Sequence, residues 1–243
     1  MKKMMLATAL MALTAGGALA QDVVRIGTEG AYEPYNYIDQ ATGELTGYEI
    51  ELGNELCKRA SLNCEFVQNA WDSIIPNLQS GNYDMIMAGM SITDEREEVI
   101  DFSQNYIPPA SSAYLALTAD ANVGEGSVVA AQTGTIQAGY VAESGATLLE
   151  FATPDETVAA VRNGEADAVF ADKDYLAPIA ADSNGEVVLL ANEVQLGGGV
   201  GIGMRETDAE LKEKMNAAIQ SMKDDGTLNT MITKWFGPEA ATF

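Results

Sequence analysis

The sequence predicts an α/β protein built of two similar lobes. Three observations carry that expectation. Apolar positions of strand period and of helix period alternate along most of the 243 residues. A helix-to-strand unit occurs twice, as Gly81-x-x-Asp84-strand-Ala88-Gly89 and as Gly164-x-x-Asp167-strand-Ala171-Asp172. In both, small or polar residues follow the strand, and the C-terminal ends of strands are where open α/β sheets place ligand groups. Finally, 47% of the chain is apolar and 20% charged, enough to bury one large core or two smaller ones. A pair of units this short also arises by chance, so a single larger domain is the alternative.

The elements follow in order. Lys2 and Lys3, an apolar stretch over Met4–Leu13 and the small-x-small run Ala18-Leu19-Ala20 read as a secretory signal peptide over 1–20, too short to span a membrane. Gln21 follows, so no lipid-anchoring Cys stands at the cleavage site. Val23–Gly27 predicts a strand ending in a Thr-Glu-Gly turn. Tyr32-Glu33-Pro34-Tyr35 reads as irregular, since Pro34 disfavours helix before it. Ile50, Leu52, Leu56 and Ala60 predict a helix over Tyr48–Ala60, and Cys64–Val67 a strand. Trp71, Ile74, Ile75 and Leu78 predict a second helix with Asp72 as N-cap, Pro76 tolerated in its first turn and Gly81 as its stop. Asp84–Met87 reads as a buried strand. Pro108-Pro109 closes the first lobe and opens an extended segment. Thr153-Pro154-Asp155-Glu156 supplies cap, N1 proline and capping-box acid for a helix reaching Asn163, and Ala168–Phe170 is the strand after it. The glycine-rich run Leu196–Gly203 leads into no helix at dinucleotide-site spacing, so it predicts a closely packed strand near a hinge rather than a Rossmann turn. Thr207-Asp208-Ala209-Glu210 predicts a capping box for a helix that turns Leu211, Met215, Ala218, Ile219 and Met222 inward. Gly226 ends it, and Leu228, Met231, Ile232 and Trp235 mark a last short helix. The methionines read as core packing.

Composition excludes several classes of function. The formal charge is −23, and loss of Lys2 and Lys3 with the signal peptide makes it two charges more negative. No nucleic acid is expected as a partner. The acidity favours cationic solutes, or simply keeps a secreted protein soluble. The chain has no His and two Cys. Ser-His-Asp and Cys-His catalysis are therefore excluded. Two thiols without His make a poor zinc shell. In an exported chain, nearby Cys57 and Cys64 point to one small-loop disulfide.

Several short motifs occur in a fixed order. They are Gly27-Thr28-Glu29 with Tyr32-Glu33-Pro34-Tyr35, then Gly47-Tyr48-Glu49-Ile50 and Glu55-Leu56-Cys57-Lys58-Arg59. Trp71-Asp72-Ser73-Ile74-Ile75-Pro76, Tyr83-Asp84-Met85-Ile86 and Ser91-Ile92-Thr93-Asp94-Glu95-Arg96 come next, with Asp225-Gly226-Thr227 and Lys234-Trp235-Phe236 at the end. In this order and spacing they resemble the family 3 solute-binding proteins of amino-acid ABC transporters, over nearly the whole mature chain. The Cys57/Cys64 pair is similar to the disulfide of the lysine/arginine/ornithine and histidine binders of that family, which is not known for a metal or redox cofactor.

The resemblance implies a periplasmic-binding-protein clamp (a Venus flytrap), each lobe a mixed sheet flanked by helices. Residues 21–109 plus 194–243 would form the discontinuous first lobe and 110–193 the second. A monomer in the periplasm would bind a free amino acid in the cleft, close on it and deliver it to a membrane permease. Arg96 can take the ligand carboxylate with both arms of its fork, near the start of a helix opened by Thr93; the plainer role is an ion pair with Glu95 or Glu97. Gly89 and Ser91 offer backbone groups and a hydroxyl. Asp172 matches the position that holds the ligand ammonium; otherwise it pairs with Lys173. Thr135, Ile136 and Gln137 occupy the second-lobe helix start that meets the carboxylate. Ile136 stands where Thr is frequent, and Ala88 where the histidine and lysine binders have Ser. Tyr32 and Trp71 would sandwich the ligand side chain, or Trp71 is core alone. Glu29 matches the position where binders of basic amino acids and opines carry an acid, so Arg, Lys, Orn, His or an opine is expected, with a glutamine-like side chain as fallback. Two other classes share the fold. Periplasmic cyclohexadienyl dehydratases would use a cleft carboxylate as acid or base. Receptor sensing modules and lytic enzymes would carry a further span or domain, which is not expected in a chain ending at Phe243.

Overall fold

A computed structural model describes residues 23–243, and the expected signal peptide and cleavage site fall outside the described residues. Among the described residues the first strand is β1 (Val23–Thr28), which runs from an exposed start into three consecutive buried residues, Ile26, Gly27 and Thr28. Beyond it β2 (Ala31–Tyr32), β3 (Asn36–Ile38) and β4 (Leu45–Thr46) form a small antiparallel sheet, so the stretch expected to be irregular is a hairpin. Next come α1 (Tyr48–Arg59), β5 (Asn63–Gln68), a 3₁₀ turn at Trp71–Ser73, α2 (Ile74–Gln79), β6 (Met85–Ile86), α3 (Asp94–Glu97) and β7 (Asp101–Phe102). Then β8 (Ser111–Ala116), β9 (Val128–Gln132), α4 (Ile136–Glu143), β10 (Thr147–Phe151), α5 (Pro154–Arg162), β11 (Ala168–Asp172), α6 (Lys173–Asp182) and β12 (Val188–Gln195) follow. The chain ends with β13 (Gly203–Met204), α7 (Ala209–Asp224) and α8 (Thr227–Phe236).

These elements make two five-stranded mixed sheets of one plan, ordered β5-β1-β6-β13-β7 and β10-β9-β11-β8-β12. The repeat read in the sequence holds in detail. Gly81 and Gly164 both adopt positive φ, at 79° and 75°. Asp84 Oδ2 then accepts the Arg25 N–H of β1 at 2.9 Å, and Asp167 Oδ2 accepts the Val128 N–H of β9 at 2.8 Å. Each aspartate thereby locks the third strand of its unit beside the first, with which it runs parallel.

The first sheet is covered by α1, α7 and α8, whose Leu52, Leu56, Met215, Ile219, Met222, Leu228 and Ile232 are buried together. The methionines are core, as their spacing predicts. In α1, Leu52 and Leu56 are fully buried, beside buried Tyr48, Gly53 and Cys57, while Ile50 and the C-cap Ala60 are only partly so; the buried face also contains an acid, Glu49. The second sheet packs Val158 and Val161 of α5 and Leu176 of α6 against Ala130 and Val169.

Two helix starts differ from expectation. The helix after Trp71 begins at Ile74 with Ser73, not Asp72, as N-cap, because the 3₁₀ turn takes up the preceding residues. Pro76 is its third residue, where a missing N–H costs nothing. The box at Thr207–Glu210 does not form. Asp208 is the N-cap without a side-chain cap, since its carboxylate is held by Arg205 at 2.7 Å and Glu210 pairs with Lys214. By contrast, Thr153 and Glu156 complete their capping box. Cys57 and Cys64 are joined, with Cα atoms 6.2 Å apart, tying α1 to β5.

The chain passes from one sheet to the other between β7 and β8 and returns between β12 and β13. The two crossings touch, because Val200 bridges both Ile107 and Ser91. Glycine is required at Gly199, whose φ is 93°. A Cβ on Gly199 would stand 2.5 Å from the Ile107 carbonyl oxygen, and one on Gly201 2.9 Å from Ile92. This confirms close packing in the glycine-rich run, as isolated bridges and a two-residue strand. Among the described residues, no helix is long and apolar enough to cross a membrane.

Candidate functional site

The C-terminal ends of β1, β6, β9 and β11 face one another across the gap between the sheets. A cavity lies between them, partly open to solvent, with about 330 Å³ of empty space when its mouth is included. Every candidate ligand residue lines it: Glu29, Tyr32, Trp71, Gly89, Ser91 and Arg96 from the first sheet's side, and Thr135, Gln137 and Asp172 from the second's. Ala88 and Ile136 join them, as does Gln132, which the sequence did not single out.

Arg96 sits in the short helix α3, whose N-cap Thr93 accepts the Arg96 N–H at 3.2 Å. The residue is 9% exposed. One arm of its guanidinium donates to the Ser91 carbonyl at 2.8 Å and the other reaches the Gly134 carbonyl on the second lobe at 3.5 Å. The group lies 5.3 Å from the centre of the Trp71 ring, so Trp71 is both core and cavity wall. Arg96 has no ion-pair partner among the described residues, and the surface pairing with Glu95 or Glu97 is not made. Burial lowers its pKa to about 10, against the opposing field of Asp172 and Glu95. It remains a cation at any physiological pH.

Asp172 ends β11. Tyr32 donates its hydroxyl to Asp172 Oδ2 at 2.8 Å, and Gln137 its amide to Oδ1 at 2.9 Å. Lys173 pairs instead with Glu193. Burial, reinforced by Asp174, raises the Asp172 pKa to about 6 despite the hydrogen bond from Tyr32 and the charge of Arg96. Tyr32 also stacks on Tyr175, with ring centres 4.4 Å apart. Thr135 caps α4 by accepting the Ala138 N–H at 3.1 Å. That leaves the first-turn N–H groups of Ile136 and Gln137, at the cavity wall, without intrahelical partners.

Glu29 stands apart from this pair. Its carboxyl group is faced by Asp155 and Asp72, and burial raises its pKa to about 7, opposed by a hydrogen bond from Gln132. The chemistry is therefore polarised. One part of the cavity holds a buried cation and a buried acid that feel each other's charge, and another part holds a second acid with no cation.

Behind the wall lies Glu49, fully buried. It accepts the Gly89 N–H at 2.7 Å, the Asn36 amide at 2.7 Å and the Tyr106 hydroxyl. Asn36 in turn accepts the Gly30 N–H at 2.7 Å. One carboxylate thus anchors the backbone at Gly89 directly and, through Asn36, beside Glu29. Gly89 has φ 63°, a conformation that suits glycine. Helical spacing could have found Glu49, because it lies three residues before Leu52 and seven before Leu56.

Residues 24–238 match the family described as bacterial extracellular solute-binding proteins, family 3. The histidine-binding periplasmic protein of Salmonella typhimurium (strain LT2) is 30% identical over 97% of each chain. The lysine/arginine/ornithine-binding periplasmic protein of Escherichia coli (strain K12) is 32% identical, again over 97% of each. The crystal structure of a periplasmic His/Glu/Gln/Arg/opine family-binding protein from Silicibacter pomeroyi in complex with lysine aligns with a TM-score of 0.88. It is 69% identical, and the alignment covers 90% of this chain and 100% of that one. With the match running over most of its length, the chain belongs to the bacterial extracellular solute-binding proteins, family 3.

Proposed function

We propose that the protein is the periplasmic substrate-binding component of an ABC transporter for polar amino acids, with a basic side chain or an opine preferred. The observation that carries this reading is that Arg96 and Asp172, rooted in different sheets, line one cavity. An α-amino acid brings a carboxylate for the guanidinium and an ammonium for the aspartate, and only a cleft closed from both sides serves both poles. Glu29 then receives a cationic side-chain head, with Tyr32 and Trp71 along the stem. Gly89, Ser91, Thr135 and Gln137 complete the polar contacts. The lysine complex of the Silicibacter pomeroyi protein, at 69% identity, supports the basic preference.

In this reading residues 21–109 plus 194–243 form one lobe and 110–193 the other, the adjacent crossings at Ile107 and Val200 act as the hinge, and a monomer released after Ala20 delivers its ligand to the permease. Isothermal titration with the twenty amino acids and ornithine tests it. Lysine, arginine, ornithine or histidine is expected to bind tightest, and tighter binding of glutamate than of arginine contradicts it.

One observation favours a second reading. A cleft acid held near neutrality, as Glu29 is, has the pKa of a general acid or base, as a cyclohexadienyl dehydratase-like enzyme requires. Phenylpyruvate formation from prephenate checks this, and none is expected, because the Arg96–Asp172 pair suits a zwitterion.

A further inference from the structure

Gln132 ends β9 in the second sheet and is 8% exposed. Its side chain crosses the cleft. The amide Nε2 donates to Glu29 Oε1 at 2.7 Å and to the Ala152 carbonyl at 3.1 Å. The second contact sets the orientation of the amide, because the flipped form would oppose two carbonyl oxygens. Both amide N–H groups are then committed. The side-chain Oε1 of Gln132 and Glu29 Oε2 make no hydrogen bond among the described residues, and both residues line the cavity. What the two present to a ligand with Glu29 ionised is therefore acceptors without a donor. An ammonium or guanidinium head has donors only, whereas a carboxamide also carries an acceptor that would meet no donor here. Leaving it unmet in a buried site is costly.

We infer that Gln132 is a specificity-determining residue, which reaches from the opposite lobe to orient Glu29 and adds its own carbonyl oxygen, so that closure assembles an acceptor-only socket selecting cationic over carboxamide side chains. The inference rests on the amino-acid-binding reading above. It also gives the ligand's side chain a hold on closure. The residue that completes the socket sits on the lobe that swings in, so a cation bound to Glu29 meets its second acceptor only in the closed state.

The test measures Kd for lysine, arginine and glutamine, by competition where direct titration is too weak, on the parent, Gln132→Leu and Gln132→Asn. Leucine keeps the bulk and removes both polar atoms; asparagine keeps the amide but is too short to reach Glu29. Both variants are expected to weaken lysine and arginine binding about tenfold or more while glutamine stays within about threefold of the parent. The thermal midpoint of each ligand-free variant shows that it is folded, and the Asn variant serves alone if the Leu variant does not fold. An equal loss for all three ligands would mean that Gln132 merely helps the lobes meet, and it overturns the inference, as does an unchanged preference for lysine. A parent that binds none of the three overturns the amino-acid reading and this inference together.

Discussion

At the scale of single residues, Arg96 carries the largest expected effect. It is buried with carbonyl partners only, so a ligand carboxylate would be its one anionic hydrogen-bond acceptor. Arg96→Ala is expected to weaken amino-acid binding by roughly 3 to 5 kcal/mol, a loss of two to three orders of magnitude in Kd or more. Titration of the variant checks this, and binding within about twofold of the parent contradicts the assignment. A pH effect follows from the two cavity acids. Glu29 is raised from 4.5 to about 7 and Asp172 from 3.8 to about 6, so the folded protein holds protons that an unfolded chain releases. In this respect the ligand-free protein is most stable below about pH 4 and loses stability as pH rises toward 7. A basic ligand reverses the preference, since its two cations favour both acids ionised. Lysine Kd is expected to weaken as pH falls below about 7, by up to about tenfold per unit for each acid. Titrations across pH 5 to 8 measure it, and a flat profile contradicts it. Arg96, Asp172, Glu29 and both aromatic residues were legible in the sequence through their motifs. Gln132 was not, because its partner Glu29 is 103 residues away and glutamine at a strand end carries no local signal.

At the scale of elements, the site depends on how α1 is seated. Its second residue, Glu49, is a buried acid inside the helix's apolar face, accepting hydrogen bonds from Gly89, Asn36 and Tyr106. Glu49→Ala would leave these donors unpaired and is expected to lower unfolding stability by roughly 3 to 5 kcal/mol, with weaker lysine binding as Gly89 and Gly30 lose their anchor. Denaturant unfolding of the ligand-free variant measures the first effect, and a loss below about 1 kcal/mol contradicts the network. Periodicity located α1, α7 and α8 because each has an apolar stripe several turns long, and the capping signals at Thr153–Glu156 located α5. It passed over β2, β3 and β4, since strands of two or three residues are too short for a period to register. Caps were legible where local chemistry had no competitor, as at Thr153. They were misread at Asp208, whose carboxylate is taken by Arg205.

At the scale of the whole molecule, one unit used twice faces itself across a cleft. Tyr32 to Asp172, Gln132 to Glu29 and Arg96 to the Gly134 carbonyl are hydrogen bonds between the two halves, and all three involve cavity residues. The surfaces that close are thus the surfaces that bind, so a ligand engaging both halves stabilises the closed arrangement. The doubled Gly-x-x-Asp unit made this plan legible, because Asp84 and Asp167 perform the same local task in each sheet. The facing of the two sheets was not legible from composition or period and entered only with the motif order. The central claim is that Arg96 and Asp172 hold opposite poles of one zwitterion. Its most direct test is isothermal titration of the unaltered protein with lysine, lysine amide and Nα-acetyl-lysine, which keep the side chain and remove, in turn, nothing, the carboxylate or the α-ammonium. Lysine is expected to bind at least about a hundredfold more tightly than either derivative; a derivative binding within about threefold of lysine would contradict the two-pole grip.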